Sequence, residues 1–374
     1  MNSAGRTPNL NFRLRRAWQR HATRLPVATA PWRELFGDGV CATVADGSGR
    51  AGILHREAGA PFTLEPVQYH GTPVRVMPDD RVYHVQEPER TAYWLRDAAV
   101  YTQNGVVYDP HSRLVVAETL EFHEANPARH PMFAAPQFPA CRRLPGQSFL
   151  FGRHGADTFY HFLVEALPAL LFARDFVLQC DHVLVPDGGR KWKLRWLTLA
   201  GVAPEQIEWL PELAHVRCER LIFTSRVVHH VEPNPWAIRM LRAFLPPRAV
   251  EPAAGARAFW LDRSHMPARR VAWEPALIER LSLFEPVRLD SLDPAAGADL
   301  LAAARTLAGF HGAAFANMIF RSPGARIVEI LVGPNYPWYA RLAQVCGHEH
   351  TALVVDDSPA SLERLARDLP ALLT

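Results

Sequence analysis

The chain has 374 residues, of which 48% are hydrophobic and 21% are charged, and its net charge is +3 at pH 7. This length accommodates two domains with separate cores, and the composition is that of an ordinary globular protein. So small a net charge, without a stripe of arginine residues, argues against a nucleic-acid-binding protein. No run approaches the ~20 apolar residues that a transmembrane helix needs.

Residues 1–30 form a basic N-terminal segment. Its arginine-rich part, residues 6–25, places Leu10, Leu14 and Trp18 near helical spacing. A basic amphipathic helix of this kind can lie on an anionic membrane, and the alternative is a solvated helix at the chain terminus. Because the segment lacks an apolar run of the signal-peptide type, we expect a cytoplasmic protein.

Residues 31–146 form a β-rich section that ends in a linker rich in proline and alanine. Short runs of strand-forming residues, separated by Gly, Pro and Asp, predict hairpins and no repeat. These runs lie at 40–44, 73–77, 81–86, 98–102, 106–108 and 114–118. Asn104 and Gly105 stand between two of them and predict a hairpin turn.

From residue 147 the pattern changes to alternating strands and helices. The predicted strands lie at 147–152, 182–186, 206–210 and 220–228, and the predicted helices at 157–176, 191–200 and 236–245. Alternation at this spacing predicts parallel strands joined by helical crossovers. We therefore expect residues 147–250 to form a Rossmann-like domain.

The first of these helices contains candidate catalytic residues. Asp157, His161 and Glu165 are spaced one helical turn apart and are expected to share a face. A histidine between carboxylates gains basicity and a fixed tautomer, as a general base requires. The alternative is a helix N-terminus with carboxylates placed for its dipole and a solvated histidine. Pro168 cannot donate to the preceding turn, so we expect a kink there.

A second alternating set follows a small-residue linker and occupies residues 256–374. Its strands are predicted at 258–262, 286–289, 306–310, 326–331 and 352–355, and its helices at 275–284, 298–304, 313–320, 339–346 and 362–373. Two such sets predict an α/β fold with two doubly wound domains facing a cleft. Ligands in folds of this type bind at the carboxyl ends of the strands.

The most informative stretch is residues 305–330, which predict strand, turn, helix, turn and strand. His311 and Gly312 break the first strand just before a short helix that is expected to be buried. Backbone amides at a helix N-terminus suit a phosphate, Gly312 admits a ligand to the backbone, and His311 can donate to a phosphate oxygen. The alternative is a tight turn with a capping histidine.

Three motifs together resemble glycosyltransferase family 61. From His311 to Ile330 the chain reads His-Gly-Ala-Ala-Phe-Ala-Asn-Met-Ile-Phe-Arg-Ser-Pro-Gly-Ala-Arg-Ile-Val-Glu-Ile, which is similar to the family signature. The segment Tyr-His-Phe-Leu-x-Glu-x-Leu-Pro around His161 is similar to the family's N-terminal histidine and acidic motif. Arg263, Arg269 and Arg270 fit the spacing of the family's arginines.

The resemblance implies a GT-B-like fold, with 147–250 as the acceptor domain and 256–374 as the nucleotide-sugar-binding domain. It implies that His161 or Glu165 deprotonates the acceptor, and which of the two does so is left open. The implied donor-binding residues are Arg263, Arg269, His311, Gly312, Ala313, Asn317 and Glu329. Of these, Glu329 is expected to end its strand and to accept hydroxyl groups of a ribose.

The sequence predicts no metal site and no cofactor apart from the nucleotide sugar. No Asp-x-Asp follows a predicted strand, where a Mg²⁺-diphosphate site would need it. The five cysteines are scattered and form no C-x-x-C pair, so neither a disulfide framework nor a zinc cluster is indicated. A reducing cytoplasm suits this pattern.

The resemblance implies an inverting, metal-independent hexosyl- or pentosyltransferase with a UDP-linked donor and a glycan or glycolipid acceptor. Capsular or other cell-surface polysaccharide assembly, with peripheral contact at the inner membrane, is the expected setting. Two departures from the family pattern, Trp273-Glu274 in place of Asn-Glu and Ala296-Gly297 near the place of Glu-Gln, motivate a rival. The rival is a non-catalytic nucleotide- or glycan-binding protein on a degenerate GT-B fold.

Overall fold

The computed structural model divides the chain into two compact units. It describes residues 28–37, 49–67, 69–71, 82–87, 89–102, 104–120, 130–133, 138–153, 155–227, 233–247, 257–266, 269–333 and 337–373. Unit 1 comprises the described residues of 1–59 and 88–230, and unit 2 those of 60–87 and 231–374. The predicted helix at 6–25 and the predicted strands at 40–44 and 73–77 lie outside the described residues.

The strands are numbered through the whole chain. They are β1 Ala28–Ala30, β2 Ala51–Glu57, β3 Phe62–Leu64, β4 Tyr69–Gly71, β5 Tyr83–Val85, β6 Arg90–Tyr101, β7 Val106–Asp109, β8 Leu114–Val116, β9 Arg142–Leu150, β10 His182–Pro186, β11 Ile207–Leu210, β12 His215–Thr224, β13 Arg257–Leu261, β14 Glu285–Val287, β15 Ala304–Phe310, β16 Arg326–Val332 and β17 Glu349–Val355.

The helices are numbered in the same way. They are α1 Trp32–Phe36, α2 Phe159–His161, α3 Leu167–Phe172, α4 Arg174–Val177, α5 Arg190–Leu199, α6 Pro235–Phe244, α7 Glu274–Arg280, α8 Pro294–Ala302, α9 Trp338–Cys346 and α10 Pro359–Asp368. A π-helical turn, Phe162–Ala166, connects α2 to α3, and a 3₁₀ helix, Ala313–Phe320, follows β15. No described helix is long and apolar enough to cross a bilayer.

Unit 1 contains a mixed nine-stranded sheet in the order β1-β8-β7-β6-β12-β9-β10-β11, with β2 also paired to β6. The four strands β12, β9, β10 and β11 run parallel to one another, whereas β6 runs antiparallel to β12. The chain moves from β9 outward to β10 and β11 and then returns to β12 on the other side of β9. The carboxyl ends of β9 and β12 therefore flank the point at which the strand order reverses, where open α/β sheets bind ligands.

Unit 2 contains a six-stranded, all-parallel sheet in the order β14-β13-β15-β16-β17-β4. The chain runs from β13 to β14 on one side and then to β15 on the other, so its reversal point lies between β13 and β15. Trp260, Phe310 and Ile330 belong to the buried core beneath this sheet edge. Parallel strands buried on both faces account for the apolar runs in the sequence.

The predicted alternation of strands and helices is confirmed in both sets, and so is the hairpin turn at Asn104 and Gly105, which joins β6 to β7. The structure divides the chain differently from the predicted boundaries. The strands before residue 120 do not form a separate section, because β6 pairs along its length with β12. Residues 60–87 join unit 2, where β4 extends the sheet at β17.

Candidate functional site

His161 and Glu165 form a hydrogen-bonded pair just after the carboxyl end of β9. Nδ1 of His161 lies 2.7 Å from Oε1 of Glu165. Because an ionised carboxylate only accepts, Nδ1 carries the proton in this pair and Nε2 carries the lone pair. The imidazole is 25% exposed and the carboxylate 10%. The buried partner therefore fixes the tautomer of the more exposed one, which is the arrangement of an oriented general base.

A π-helical turn shapes the helix at this pair. The turn Phe162–Ala166 contains Glu165 and directly follows His161, and the Leu167 amide donates to the Phe162 carbonyl five residues back. Pro168 offers no N–H for the preceding α-helical turn, so a wider turn just before it relieves the mismatch. The sequence predicted a kink at Pro168 and did not predict the π-helical turn.

Asp157 lies outside this helix. Thr158 occupies the N-cap position and α2 begins at Phe159, while Asp157 is exposed. The prediction that Asp157 shares a helical face with His161 and Glu165 is therefore wrong. The reason is that residues 155–158 form a turn, in which the Thr158 amide donates to the Gly155 carbonyl at 2.8 Å.

Gly155 provides the space for His161. Its φ of +74° lies in the left-handed region, and a Cβ added there would approach the imidazole ring to 2.8 Å. Both facts require glycine at this position. Sequence reasoning missed Gly155, although a glycine just before a helix that bears a candidate base is a detectable signal.

Arg153 connects the two strand ends at the reversal point of unit 1, and it was not among the residues predicted from the sequence. Its side chain is buried, and Nη2 donates to the Ser225 carbonyl at 2.7 Å, the Thr224 carbonyl at 3.3 Å and the Thr224 hydroxyl. The guanidinium thus ties the chain after β9 to the chain after β12. Charge-assisted donation to several backbone acceptors makes this junction rigid.

In unit 2, Arg263 and His311 meet at the corresponding reversal point. Arg263 follows β13, His311 follows β15, and Nη1 of Arg263 donates to the His311 carbonyl. A Cβ at Gly312 would lie 2.9 Å from the same Nη1. Gly312 has an extended backbone, with φ of 175°, so the close approach of Arg263 is what favours glycine there.

A small pocket at this edge contains several of the predicted donor-binding residues. Its lining consists of Arg263, Arg269, Val271, Phe310, His311, Ile330 and Val332. The structure therefore brings Arg263, Arg269 and His311 together within unit 2. Burial lowers the pKa of Arg263, although the nearby Glu274 carboxylate partly offsets this effect. Arg269 is exposed and has φ of +52°, which is unusual for a residue with a side chain.

The helix after Gly312 is a 3₁₀ helix, and it is buried from Phe315 to Phe320, as predicted. Within the described part of the chain, the amides of Gly312 and Ala313 have no hydrogen-bond acceptor, as expected at a helix start. Asn317, also predicted to bind the donor, uses its side-chain amide to donate to the Ala314 carbonyl at 2.9 Å. Ala313 and Asn317 do not line the pocket.

Glu329 lies between two histidines inside the sheet. Its Oε1 is 2.5 Å from Nδ1 of His311, and its Oε2 is 3.0 Å from Nε2 of His350. Burial alone would raise the pKa of Glu329, but the hydrogen bonds from both histidines hold it below the ordinary value. Glu329 is thus a buried anion that orients His311.

The expected position of Glu329 is wrong. It lies in the middle of β16, which continues to Val332, and it is 1% exposed. The strand runs three residues past Glu329, because Ile330, Leu331 and Val332 still pair with β17. His350, on that neighbouring strand, was missed because only the pairing of β16 and β17 brings it to Glu329.

Trp273 and Glu274, the departure from the family pattern, support the Arg263 loop. Glu274 is fully buried, and its Oε1 accepts from the Arg263 amide at 3.2 Å and from Nε1 of Trp260 at 3.1 Å. Trp273 packs edge-on against Phe310, with ring centroids 5.3 Å apart, and donates to Asp357 at 2.8 Å. Glu274 thus supports Arg263 and Trp273 supports Phe310, and both supported residues line the pocket.

Residues 159–328 match the family model for Glycosyltransferase 61. The match begins at the helix that bears His161 and ends one residue before Glu329, so it includes the pair of His161 and Glu165 together with Arg263, Arg269 and His311. Two α/β units with parallel strands are compatible with a Rossmann-like glycosyltransferase, and the match supports a member of glycosyltransferase family 61. A glycosyltransferase family implies a sugar donor and a glycan acceptor. No curated protein matches the chain.

Proposed function

We propose that this protein transfers a hexosyl or pentosyl group from a nucleotide-diphosphate sugar to a hydroxyl of a glycan acceptor. The donor in this proposal is a UDP-sugar. The observation that supports the transfer best is the hydrogen-bonded pair of His161 and Glu165 at the carboxyl edge of the parallel strands. A neutral imidazole oriented by a carboxylate is suited to removing a proton from a hydroxyl.

His161 is the base in this proposal, and Glu165 positions it. Since Nδ1 of His161 donates to Glu165, the acceptor hydroxyl would give its proton to Nε2. The acceptor oxygen forms a bond to the anomeric carbon while the bond to the diphosphate oxygen breaks. One base and one displacement invert the configuration at that carbon. The carboxylate stabilises the imidazolium that results.

The leaving diphosphate is assigned to the unit 2 pocket. Arg263 and Arg269, which line the pocket, supply positive charge. The amides of Gly312 and Ala313, which directly follow the lining residue His311, supply donors where a helix begins. His311 lines the same pocket and is held by Glu329. Cationic side chains in this position support metal-independent transfer, because they can take the role that a divalent cation has in other transferases.

The family resemblance implied that Glu329 binds the ribose directly, and in this proposal it does not. Both carboxylate oxygens already accept from imidazoles, so Glu329 serves the donor site through His311. Asn317 likewise supports the helix that presents the amides, since its side chain closes a turn onto Ala314. We keep the family expectation of a GT-B enzyme, with the acceptor assigned to unit 1 and the donor to unit 2.

Titration with UDP and a panel of UDP-sugars, with both heat and sugar release measured, tests the proposal. We expect UDP to bind, donor to turn over, and activity to persist with excess chelator. Arg263→Ala weakens UDP binding, whereas His161→Gln leaves it unchanged, since His161 is not part of the unit 2 pocket. UDP binding without turnover over many acceptors would favour the non-catalytic rival, and no nucleotide binding would contradict both.

The cellular setting remains a proposal from the family resemblance. It places the enzyme in the cytoplasm, in contact with the inner membrane, in capsular or cell-surface polysaccharide assembly. Cell fractionation and binding to anionic vesicles test this part. A protein recovered wholly in the soluble fraction, without affinity for such vesicles, would contradict the membrane contact but not the transfer activity.

A further inference from the structure

Glu329 and the two histidines bonded to it form a chain of three side chains in unit 2, which we call the buried triad. His311 follows β15, Glu329 lies in β16 and His350 lies in β17, so three neighbouring parallel strands supply its members. Of these members, His311 alone lines the pocket that also contains Arg263 and Arg269. The triad therefore connects the interior of the sheet to the pocket through one imidazole.

The charge of Glu329 fixes where the hydrogen atoms of the triad lie. Both histidines are nearly buried, with 7% and 8% of their side chains exposed. Burial opposes the charge of Glu329, but the hydrogen bonds from His311 and His350 outweigh it and keep the pKa below its ordinary value. An ionised carboxylate only accepts, so His311 donates from Nδ1 and His350 from Nε2. A neutral His311 consequently carries its lone pair on Nε2.

Nε2 of His311 is the atom of the triad that can meet a ligand. Glu329 holds Nδ1 inside the sheet, and among the described residues Nε2 has no hydrogen-bond partner. The imidazole packs against the ring of Tyr339, with centroids 5.0 Å apart, and burial raises the pKa of that hydroxyl, so this neighbour adds no charge at neutral pH. A nearly buried polar atom without a partner, on a residue that lines a pocket, marks a place for a ligand atom.

A diphosphate oxygen at this place would leave the triad one proton short. Ionised phosphate oxygens only accept hydrogen bonds, and the lone pair on Nε2 only accepts as well. The line from Glu329 through His311 to the phosphate contains two hydrogen bonds and needs two protons, whereas a neutral imidazole has one. Moving that proton from Nδ1 to Nε2 would leave Nδ1 and the buried carboxylate as two facing acceptors. One proton must therefore be added.

The charges around His311 favour this added proton once an anion is bound. Arg263 donates to the His311 carbonyl and lines the pocket together with Arg269, so two cations oppose an imidazolium before a ligand arrives. Glu329 favours an imidazolium, but this one carboxylate is shared with His350. A diphosphate brings several negative charges into the pocket and reverses the balance.

We propose that the unit 2 pocket binds a diphosphate together with one proton, which His311 takes up from solvent to become an imidazolium. The inference rests on the proposed function, in which this pocket holds the leaving diphosphate. Nε2–H then donates to a phosphate oxygen, while Nδ1–H remains bonded to Glu329. His350 is a positioning residue, because its hydrogen bond fixes the second oxygen of Glu329. UDP therefore binds more tightly as pH falls.

Calorimetry of UDP binding in buffers that differ in ionisation enthalpy counts the protons that are taken up. The full-length protein is titrated between about pH 7.5 and about pH 8.5, where the terminal phosphate of UDP, with a second pKa of about 6, is ionised. We expect an uptake of roughly 0.5–1 proton per UDP at the lower pH. UDP affinity should fall as pH rises across this range, by at most about tenfold per pH unit, which is the limit for one proton.

His311→Gln tests whether His311 takes up the proton. The amide can still donate to a phosphate oxygen but does not titrate, so we expect UDP affinity to fall about tenfold and to lose both proton uptake and pH dependence. His265→Gln is the matched control. It replaces another histidine of unit 2 that is paired with a carboxylate, 3.1 Å from Asp290, but does not line the pocket. This control should behave as the wild type.

Two variants of His350 test the positioning role. His350→Leu removes the donor to Glu329 and should lower both UDP affinity and proton uptake. His350→Gln retains a donor that does not titrate and should restore both. Thermal melting identifies any variant that has failed to fold. Hydrogen exchange at the imidazole C2 position, followed by mass spectrometry, measures the protonation of His311 in the wild type, where UDP should increase it.

Several results would overturn the inference while the proposed function stands. They are UDP binding without proton uptake or pH dependence in the wild type, uptake that persists in His311→Gln, and uptake that is lost in His265→Gln. Equal behaviour of His350→Leu and His350→Gln would overturn the role of His350. A wild-type protein that does not bind UDP would instead overturn the proposed function, and this inference with it. Whether UDP binds thus distinguishes the two failures.

Discussion

Nδ1 of His161 and Oε1 of Glu165 lie 2.7 Å apart, and this contact distinguishes the proposed base from the residue that positions it. Glu165 is the more buried of the two and follows one turn after His161, within a π-helical turn. A carboxylate in this position selects the Nδ1–H tautomer, which leaves Nε2 as the atom able to accept a proton. The sequence alone left open which residue is the base, and the geometry supports His161.

Replacement of Glu165 by glutamine tests this ordering. Glu165→Gln keeps the shape of the side chain but removes the charge that stabilises an imidazolium. We expect kcat to fall by roughly 100-fold while KM for the donor stays within about twofold. His161→Gln should reduce kcat further. The assignment would be reversed if Glu165→Gln were as inactive as a variant that lacks both side chains while His161→Gln kept its activity.

Gly155→Ala should displace the imidazole. The new Cβ would lie 2.8 Å from the ring, and the left-handed backbone adds strain. We expect kcat to fall at least about tenfold, because a small misplacement of a base slows proton transfer. Gly37→Ala is the matched control: its φ of +78° is similar, and nothing lies within 4 Å of the added Cβ. Both variants should lose on the order of 1 kcal/mol of stability, but only Gly155→Ala should lose activity.

Gly312→Ala should weaken nucleotide binding without backbone strain. Its added Cβ would lie 2.9 Å from Nη1 of Arg263 and would push the guanidinium from the His311 carbonyl. Calorimetry should show about a tenfold loss of UDP affinity, the size expected for one charge-assisted hydrogen bond. Gly297→Ala, whose Cβ would be 3.9 Å from its nearest neighbour, serves as control. Unchanged affinity in Gly312→Ala would separate Arg263 from the donor site.

The buried His348 should make the folded protein less stable in mild acid. Burial lowers its pKa to about 4 from an ordinary value of 6.5, although donation from Nε2 to the Met318 carbonyl partly offsets this effect. Between these pH values the unfolded chain binds a proton that the folded chain does not, so stability falls as pH falls through this window. The expected loss is roughly 3 kcal/mol. Denaturant unfolding from pH 7 to 4 measures it.

His348→Gln should remove most of this slope, because the amide can still donate to Met318 but does not titrate. The exposed His84→Gln should leave the slope as it is in the parent protein. A slope that persists in His348→Gln would mean that another group takes up the proton.

Local signals in the sequence predicted the parts of the fold that depend on neighbouring residues. The strand, turn, short helix and strand from Ala304 to Val332 arise from apolar runs broken by His311, Gly312 and Gly324, so their bounds were predicted to within two residues. The 3₁₀ type of the helix was not predicted. The pairing of His161 with Glu165 depends on helical spacing alone, and the structure contains it.

Long-range pairing decided the parts that were not predicted. β6 joins β12 across more than a hundred residues, which merges the early strands into unit 1. Glu329 reaches His350 only because β16 and β17 are paired in one register, and nothing near Glu329 in the sequence signals it. Gly155 and the π-helical turn depend on how His161 and Pro168 fit together, which a residue pattern does not contain.

The most direct test of His161 as the base is a single-turnover measurement with the full-length protein, the donor and the acceptor found by screening. Wild type and His161→Gln are compared at donor concentrations that saturate both, with UDP affinity measured in parallel. If His161 is the base, His161→Gln slows the chemical step by more than about 100-fold and leaves UDP affinity unchanged. A chemical step of wild-type rate in His161→Gln would contradict that role.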